Sequence, residues 1–223
     1  MVASQNFRSV ERQSSNRANI FMLECTAVLG IHLTALHCYL PPGPQRVFLD
    51  IFAFCYMTRL IAMSRWLLPR ELAMEELTFV ILIWVPAILA SFTLGAMLHP
   101  MNVSPTSTQL IFSGILYVGG SFLNSYSELQ RKWWKTQPNN YGRCFTLGLF
   151  SWSRNINYFG DVVLFGAWAI ATGAWWNVWV PVAMFLSFYF HHIPDKEKYL
   201  AQRYAKDWPA YEASTKALIP WVL

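Results

Sequence analysis

Charged residues are scarce in this chain. Of its 223 residues, 13% are charged and 55% are hydrophobic, whereas a typical soluble domain carries about 25% charged residues. This composition excludes an intrinsically disordered chain, which needs low hydrophobicity and high charge. Two long segments contain no Asp, Glu, Lys or Arg, one between Glu76 and Glu128 and one between Asp161 and Asp195. Because a membrane-spanning helix needs about 20 mostly apolar residues, the sequence predicts an integral membrane protein.

Cysteine is also rare, and its spacing excludes two classes of protein. The chain has four cysteines with neither a CxxC pair nor a metal-ligand pattern, Cys25, Cys38, Cys55 and Cys144. They therefore indicate neither a disulfide scaffold nor a zinc site. The pair His191-His192 also predicts no metal, because no third ligand follows at a suitable spacing. The net charge of +5 does not indicate a nucleic-acid partner, because the basic residues lie beside hydrophobic segments.

The hydropathy pattern predicts an all-α fold with about six transmembrane helices. The apolar spans cover residues 18–40, 47–63, 77–98, 109–126, 162–174 and 178–193. The turn Pro41-Pro42-Gly43-Pro44 must end the first helix, and Pro86 predicts a kink in the third. The chain is thereby divided into three parts: a polar N-terminal tail at 1–17, a four-helix membrane region at 18–126 and a C-terminal region at 127–223.

The basic residues predict the orientation of these helices. With six spans, both termini lie on the same side of the membrane. All of the 17 lysines and arginines except Arg46 and Arg59 also fall on that side. Positive residues mark the cytosolic ends of transmembrane helices. We therefore expect both termini to face the cytosol at an endoplasmic reticulum-type or other intracellular membrane, or the matrix at the mitochondrial inner membrane.

Two polar clusters lie on this basic side. The first contains the basic and aromatic segment 131–135 and the stretch 151–161, and the second covers 191–211. Arg154 and Asp161 are about two helical turns apart, so they lie on one face if the stretch is helical. Arginine and lysine bind phosphate, so the two clusters can form one pocket for an anionic cofactor. An interfacial amphipathic segment has the same composition, and this alternative stays open.

A family resemblance rests on the motif Asn157-Tyr158-Phe159-Gly160-Asp161, preceded by Trp152 and Arg154. This motif resembles the C-terminal signature of the membrane sterol reductases and steroid 5-alpha-reductases, which are related more distantly to the isoprenylcysteine carboxyl methyltransferases. The tail is similar to the same signature in the same order, with His191, Glu197, Arg203-Tyr204-Ala205-Lys206-Asp207-Trp208, Tyr211 and Ile219-Pro220. The resemblance covers about residues 128–222. Two positions depart from it: Asn155 stands where many relatives have His, and Ile156 where reductases and methyltransferases often have Pro.

The resemblance implies an all-helical membrane reductase that holds NADPH in a cytosol-facing pocket built by the C-terminal helices. In such a reductase, a hydride passes from the nicotinamide to a polarised carbon–carbon double bond, and a nearby acid supplies the proton. By position, Arg131 and Lys135 would contact the adenosine phosphates. Ten further residues would surround the cofactor: Trp152, Arg154, Asn157, Tyr158, Asp161, His191, Glu197, Arg203, Tyr204 and Tyr211.

The proton donor is not part of this resemblance. Ionisable groups inside membrane spans are rare and energetically unfavourable, so each is a candidate for a function. Glu24, Asp50, Tyr56 and Tyr117 lie in the predicted spans. Asp50 is close to the membrane boundary, so we take the other three as candidate catalytic residues.

Three hypotheses follow for the function. The first is an NADPH-dependent reductase of an unsaturated steroid or related lipid, whose partners are the bilayer and a hydrophobic substrate. The second is a non-catalytic subunit of a larger membrane complex that keeps the reductase-like fold; the departures at Asn155 and Ile156 favour it. The third is a membrane methyltransferase that uses S-adenosylmethionine, which the motif from Asn157 to Asp161 fits poorly.

Overall fold

The computed structural model describes residues 16–67, 80–98 and 104–223, and these residues contain helices and no strand. The all-α prediction is therefore confirmed for this part of the chain. Its α-helices are α1 (Asn16–Tyr39), α2 (Pro44–Ala62), α3 (Val85–Leu98), α4 (Ser107–Lys135), α5 (Ile156–Thr172), α6 (Trp179–Ser187), α7 (Ile193–Arg203) and α8 (Trp208–Ser214). Most of the predicted N-terminal tail, the charged segment after Leu67 and the segment around Asn102 lie outside the described residues.

The described chain forms two compact units. The first unit takes the chain up to Pro105 together with Thr172–Ala174, and the second takes Thr106–Ala171 and Trp175–Leu223. The division lies at the start of α4. The boundary predicted from the sequence, between 126 and 127, lies inside α4.

Within the first unit, α1 packs against both α2 and α3. The prolines after Leu40 end α1, and α2 begins at Pro44, where the missing N–H is not needed for helical bonding. A hydrogen bond of 2.6 Å between His32 Nδ1 and Thr93 Oγ1 connects α1 to α3 in the buried interior. α1 and α2 agree closely with the first two predicted helices, and the described part of the third, residues 80–98, is helical.

A π-helical turn, Val80–Trp84, lies immediately before α3 and close to Pro86, where the sequence predicts a kink. Proline has no N–H to donate and its ring clashes with the carbonyl of the preceding turn. A widened π turn is one way for a helix to accommodate such a break.

Two helical stretches in the first unit, Asn19–Tyr39 and Pro44–Trp66, are long and apolar enough to cross a membrane. Only 22% and 28% of their most apolar windows are buried inside the protein. Buried core helices of a soluble protein would have most of these residues covered. The two helices therefore favour a membrane protein.

In the second unit, α4 begins with a capping box. Thr106 Oγ1 accepts a hydrogen bond from the Gln109 backbone N–H (3.2 Å), and Gln109 Oε1 accepts one from the Thr106 N–H (2.8 Å). The helix continues past Tyr126, where the sequence predicts its end, to Lys135. The extra turns contain no Gly or Pro, and the cations of the last turn suit the negative end of the helix dipole.

The last predicted span begins as α6 and passes through a π-helical turn, Phe188–His192, into α7. Pro194 lies in the first turn of α7, where proline is tolerated. Before it, α5 starts at Ile156, six residues earlier than the fifth predicted span, and includes the reductase-like motif. At 17 residues, α5 is shorter than the two helices that are long enough to cross a membrane.

Candidate functional site

The reductase-like motif lies where α4 and α5 come into backbone contact. A Cβ atom added to Gly120 would lie 2.6 Å from the carbonyl oxygen of Gly160 and 2.6 Å from the backbone nitrogen of Leu164. A Cβ atom added to Gly160 would lie 2.6 Å from the backbone nitrogen of Asn124. Real Cβ atoms do not approach backbone this closely, so only glycine fits at either position. The glycine of the motif thus has a packing role: it lets the two helices touch.

This contact brings Asn124 of α4 against the motif. Its Nδ2 donates hydrogen bonds to the backbone oxygen of Asn157 (3.0 Å) and to Oδ2 of Asp161 (2.9 Å). Asn124 is buried, with 2% of its surface exposed. The sequence analysis did not select this residue. Its only signal was a polar amide within a predicted apolar span, which is a reason to suspect a function.

Arg154 is held by the protein itself. Its Nε and Nη2 donate to the two carboxylate oxygens of Glu197 on α7 (2.8 and 3.1 Å). Its Nη1 donates to the backbone oxygens of Glu212 (2.9 Å) and Thr215. The ion pair is largely buried, since 10% of the Arg154 side chain and 17% of the Glu197 side chain are exposed. Sequence reasoning assigned both residues to the cofactor, but their visible role is to connect the start of α5 to α7 and to the C-terminal segment.

The C-terminal segment at residues 216–218 runs along residues 153–155, just before α5, and is hydrogen-bonded to them. Ser153 Oγ donates to the Leu218 oxygen (2.8 Å), and the Arg154 backbone N–H donates to the Lys216 oxygen (2.8 Å). Asn155 Nδ2 donates to the Ala217 oxygen (2.8 Å). The unusual asparagine at position 155 therefore serves as an anchor for the tail.

Tyr211 also has a structural position. Its hydroxyl donates to the backbone oxygen of Phe150 (2.7 Å), and the ring packs against Trp208 in a small buried cluster with Cys144. Burial raises the pKa of Tyr211, so the phenol stays protonated at neutral pH.

A basic cavity of about 270 Å³ lies between the loop after α4 and the end of α7. It is lined by three cationic side chains and one carboxylate among its eight residues, Tyr141, Gly142, Arg143, Arg203, Tyr204, Ala205, Lys206 and Asp207. Asp207 accepts a hydrogen bond from the Cys144 backbone N–H (2.9 Å) and is 4.0 Å from Arg143. Sequence reasoning selected Arg203 and Tyr204 here but not Arg143 and Lys206.

Lys135 connects the end of α4 to this cavity. Its Nζ donates to the hydroxyl of Tyr204 (2.9 Å) and lies 4.5 Å from the centre of that ring. Arg203 Nε donates to the same hydroxyl (3.4 Å). Burial alone would raise the pKa of Tyr204, but the two cationic donors outweigh burial and lower it. Three residues predicted for the cofactor thus meet at one edge of the cavity.

Lys196 occupies a second position that the sequence analysis did not select. Its Nζ lies 4.7 Å from the centre of the Tyr158 ring, which stacks on Phe188 at 4.4 Å. Burial, reinforced by the charge of Arg131, lowers the pKa of Lys196 to about 8. Arg131 itself is paired with the buried Glu128 one turn earlier. A lysine in a run of charges after a hydrophobic span gives no sequence signal of this environment.

The remaining predicted cofactor residues lie at the surface. Trp152 contacts Trp221 with ring centres 5.5 Å apart, and 42% and 69% of their surfaces are exposed. His191 is exposed on the π-helical turn before α7. All twelve predicted cofactor residues belong to the second unit. The structure brings three groups of these residues together. Lys135 and Arg203 both donate to the hydroxyl of Tyr204, and Arg154 is paired with Glu197. Asn157 and Asp161 both accept hydrogen bonds from Asn124.

The three candidate proton donors are divided between the units. Glu24 on α1 is half-buried, and its Oε2 is buried without a hydrogen-bond partner in the described chain. Tyr56 on α2 is buried, and the Arg59 guanidinium lies 5.3 Å from its ring centre. Tyr117 on α4 belongs to the second unit and packs edge-to-face on Trp168 at 6.2 Å. Within the described residues, no group of three His, Cys, Asp or Glu side chains is arranged to hold a metal ion.

The family model described as a protein of unknown function (DUF1295) matches residues 62–215. This is more than half of the chain. The chain belongs to the DUF1295 family. This is a membrane family similar to the steroid reductases, in agreement with the resemblance of the C-terminal motif, and its description names no activity or substrate. No curated protein matches the chain.

Proposed function

We propose that this DUF1295 protein is a membrane-embedded, NADPH-dependent reductase of a carbon–carbon double bond in a steroid or related lipid. The observation that carries the proposal is the basic cavity at Arg143, Arg203 and Lys206, which Lys135 joins to α4, the helix that packs against the reductase-like motif of α5. It supports a ligand with phosphate at one end and a neutral polar group at the other.

The chemistry of the cavity fits phosphate. Its lining includes three cationic residues and one carboxylate, Asp207, and guanidinium and ammonium groups form strong charge-assisted hydrogen bonds with phosphate oxygens. The volume of about 270 Å³ is slightly less than the roughly 300–1,000 Å³ of a site that encloses a whole small molecule. The cavity therefore suits one end of a longer ligand.

The spacing along α4 fits the rest of a dinucleotide. Asn124 and Lys135 are both on this helix, about 16 Å apart at a rise of 1.5 Å per residue. This separation is comparable to the length of an extended dinucleotide. Arg143, Arg203, Lys206 and Lys135 would hold the phosphates, and Trp152 offers an exposed indole face for a ring.

The other end would be held at the α4–α5 contact, by Asn157 and Asp161. When bound, NADPH supplies a hydride to a polarised double bond. The chain's own contribution is to hold the motif rigid through Asn124 and through the Arg154–Glu197 pair. A proton donor is still required, and Glu24, Tyr56 and Tyr117 are the proposed candidates.

The exposed side chains support a bilayer as the surroundings. Along α4, five large apolar side chains on one side of the helix are more than half exposed, Ile111, Phe112, Ile115, Val118 and Phe122. An apolar surface of this kind marks a contact with lipid or with another protein. Six spans with both termini on the cytosolic or matrix side remain our proposal for the topology, and lateral access from the bilayer would suit a hydrophobic substrate.

A non-catalytic subunit of a membrane complex is the second candidate. It is favoured by the two arginines that the resemblance assigns to the cofactor: Arg154 is bound to Glu197 and the tail, and Arg131 is paired with Glu128. Because these two arginines are already paired, the phosphates of a cofactor would have to bind other cationic residues.

The methyltransferase candidate gains nothing from the structure, because the sulfonium of S-adenosylmethionine is positive and would be repelled by a basic cavity.

The test is to measure, by calorimetry, the binding of NADPH to the purified protein in nanodiscs. We expect saturable binding that Lys206→Glu weakens by about 10- to 100-fold, since a hydrogen bond to a charged group is worth about 1.5–3 kcal/mol. Lys198→Glu is the matched control, because Lys198 is an exposed lysine on α7 outside the cavity. Absence of binding, or equal effects of the two reversals, would contradict the proposal. Oxidation of NADPH over a panel of enones and sterols then identifies the substrate.

A further inference from the structure

The hydrogen bonds of Asn124 determine which way its amide points. Both partners of its Nδ2, the Asn157 backbone oxygen and the Asp161 carboxylate, can only accept hydrogen bonds. The opposite orientation would place Oδ1 against two acceptors. The assignment of nitrogen and oxygen at Asn124 is therefore fixed by its surroundings.

The other amide atom of Asn124 has no partner within the described chain. Its Oδ1 is fully buried and accepts no hydrogen bond, and the same is true of Oδ1 of Asn157. Both residues are more than nine-tenths buried, at 2% and 8% exposure. Buried acceptors are nearly always hydrogen-bonded in folded proteins, so two orphaned oxygens at one helix contact indicate a missing donor.

The character of the site limits what this donor can be. The two amide oxygens and the carboxylate of Asp161 are all acceptors. A hydroxyl group would donate only one hydrogen bond, and its lone pairs would face the remaining acceptor oxygens of the site, which is unfavourable. An –NH₂ group offers two hydrogens and has no competing acceptor, so it satisfies the site better. Tyr158 and Asp161 are half-buried, so the contact borders an accessible surface.

We propose that Asn124 is a ligand-binding residue whose Oδ1 accepts a hydrogen bond from the carboxamide –NH₂ of a nicotinamide. This inference rests on the proposed function. Asn124 then has two tasks: its nitrogen positions Asn157 and Asp161, and its oxygen selects an amide over groups that lack N–H.

The experiment compares NADP⁺ with its 3-acetylpyridine analogue, in which a methyl ketone replaces the carboxamide and removes both N–H donors. We expect the wild-type protein to bind NADP⁺ about tenfold more tightly than the analogue, as for one lost hydrogen bond to a buried acceptor. Asn124→Leu, which is close in shape, should reduce this preference to about twofold or less. Ser113→Ala is the control, because Ser113 is buried on the same helix and donates only to Leu110 of its own turn; it should keep the full preference.

The affinities for the two dinucleotides distinguish a failure of this inference from a failure of the proposed function. Equal affinity of the wild-type protein for the two dinucleotides overturns the role of Asn124 and leaves the reductase intact. A preference that survives Asn124→Leu also overturns it, and shows that a water or another residue fills the site. If neither dinucleotide binds, the proposed function fails and this inference fails with it. Because the wild-type comparison needs no variant, the test holds even if Asn124→Leu does not fold.

Discussion

Replacing Gly160 by alanine tests whether backbone contact between α4 and α5 builds the site. The added Cβ would lie 2.6 Å from the Asn124 nitrogen and 2.7 Å from the Gly120 oxygen. An ordinary contact of a Cβ atom begins near 3.4 Å, so the helices must separate by about 0.8 Å, the difference between 3.4 and 2.6 Å. That movement would stretch the 2.9 Å bond from Asn124 to Asp161 beyond hydrogen-bonding distance.

The size of the effect follows from these distances. Overpacking lowers the stability of the fold by about 1–3 kcal/mol. Replacing glycine by alanine inside a helix raises it by about 0.5–1 kcal/mol. The net cost is then about 0–2.5 kcal/mol, and at about 2–4 °C per kcal/mol for a chain of this length we expect overpacking alone to lower Tm by up to about 10 °C in Gly160→Ala. The loss of the Asn124 bonds adds to this fall and should abolish the discrimination between NADP⁺ and its analogue.

The chain provides a matched control on the same helix. An added Cβ on Gly166 meets nothing within 4 Å, so Gly166→Ala should leave Tm unchanged or raise it slightly. Gly120→Ala and Gly119→Ala form the same contrast on α4, because only the first of the two meets backbone. The assay is thermal unfolding in one detergent for all four variants. Equal Tm values for Gly160→Ala and Gly166→Ala would refute the packing explanation of the motif glycine.

Two further predictions concern the charged groups of the second unit. Glu197→Gln should leave the Arg154 guanidinium buried without its counter-charge and lower the free energy of unfolding by about 3–5 kcal/mol; the double variant Arg154→Met/Glu197→Leu should recover much of this loss in thermal unfolding, and no recovery would argue against an uncompensated charge. Lys196 has a pKa of about 8 in the folded protein, against 10.5 as its ordinary value, so the unfolded chain binds more protons between these pH values and stability should rise with pH in that window. The stability difference between wild type and Lys196→Met, followed from pH 7.5 to 10, should therefore shift in favour of the wild type; a constant difference would show that Lys196 titrates normally.

Hydropathy is sufficient to place most of the helices. The first three spans, the turn after Leu40 and the break near Pro86 follow from apolar run length and from the missing N–H of proline. The end of α4 does not follow in the same way. Helix formation continues through Arg131 and Lys135 because nothing there breaks it, whereas the hydrophobic signal stops at Tyr126.

The candidate site is only partly predictable. The spacing of Asn157 and Asp161 indicates one helix face, and the structure joins them through Asn124. The contribution of Asn124 depends on a glycine contact between two helices, and no local pattern shows which helices touch. The same is true of Arg154, because its partner Glu197 and the carbonyls of the tail come from distant parts of the chain.

Charge alone also cannot show which cations are available to a ligand. Arg131 and Arg154 look like phosphate ligands in the sequence, but both are paired with carboxylates in the folded unit. Arg143 and Lys206 were not among the predicted cofactor residues, yet both line the basic cavity, where Arg143 lies 4.0 Å from Asp207. Ion pairing depends on tertiary structure. The sequence therefore locates the basic region, and the structure is needed to show which of its cations are paired with carboxylates.

An electron cryomicroscopy map of the protein in nanodiscs with NADP⁺ would show whether the second unit binds a dinucleotide. We expect continuous dinucleotide density with phosphates at Arg143, Arg203 and Lys206 and with the nicotinamide carboxamide at Asn124. Density for an acyl chain, for a neighbouring subunit or for the protein's own side chains in that position would contradict it.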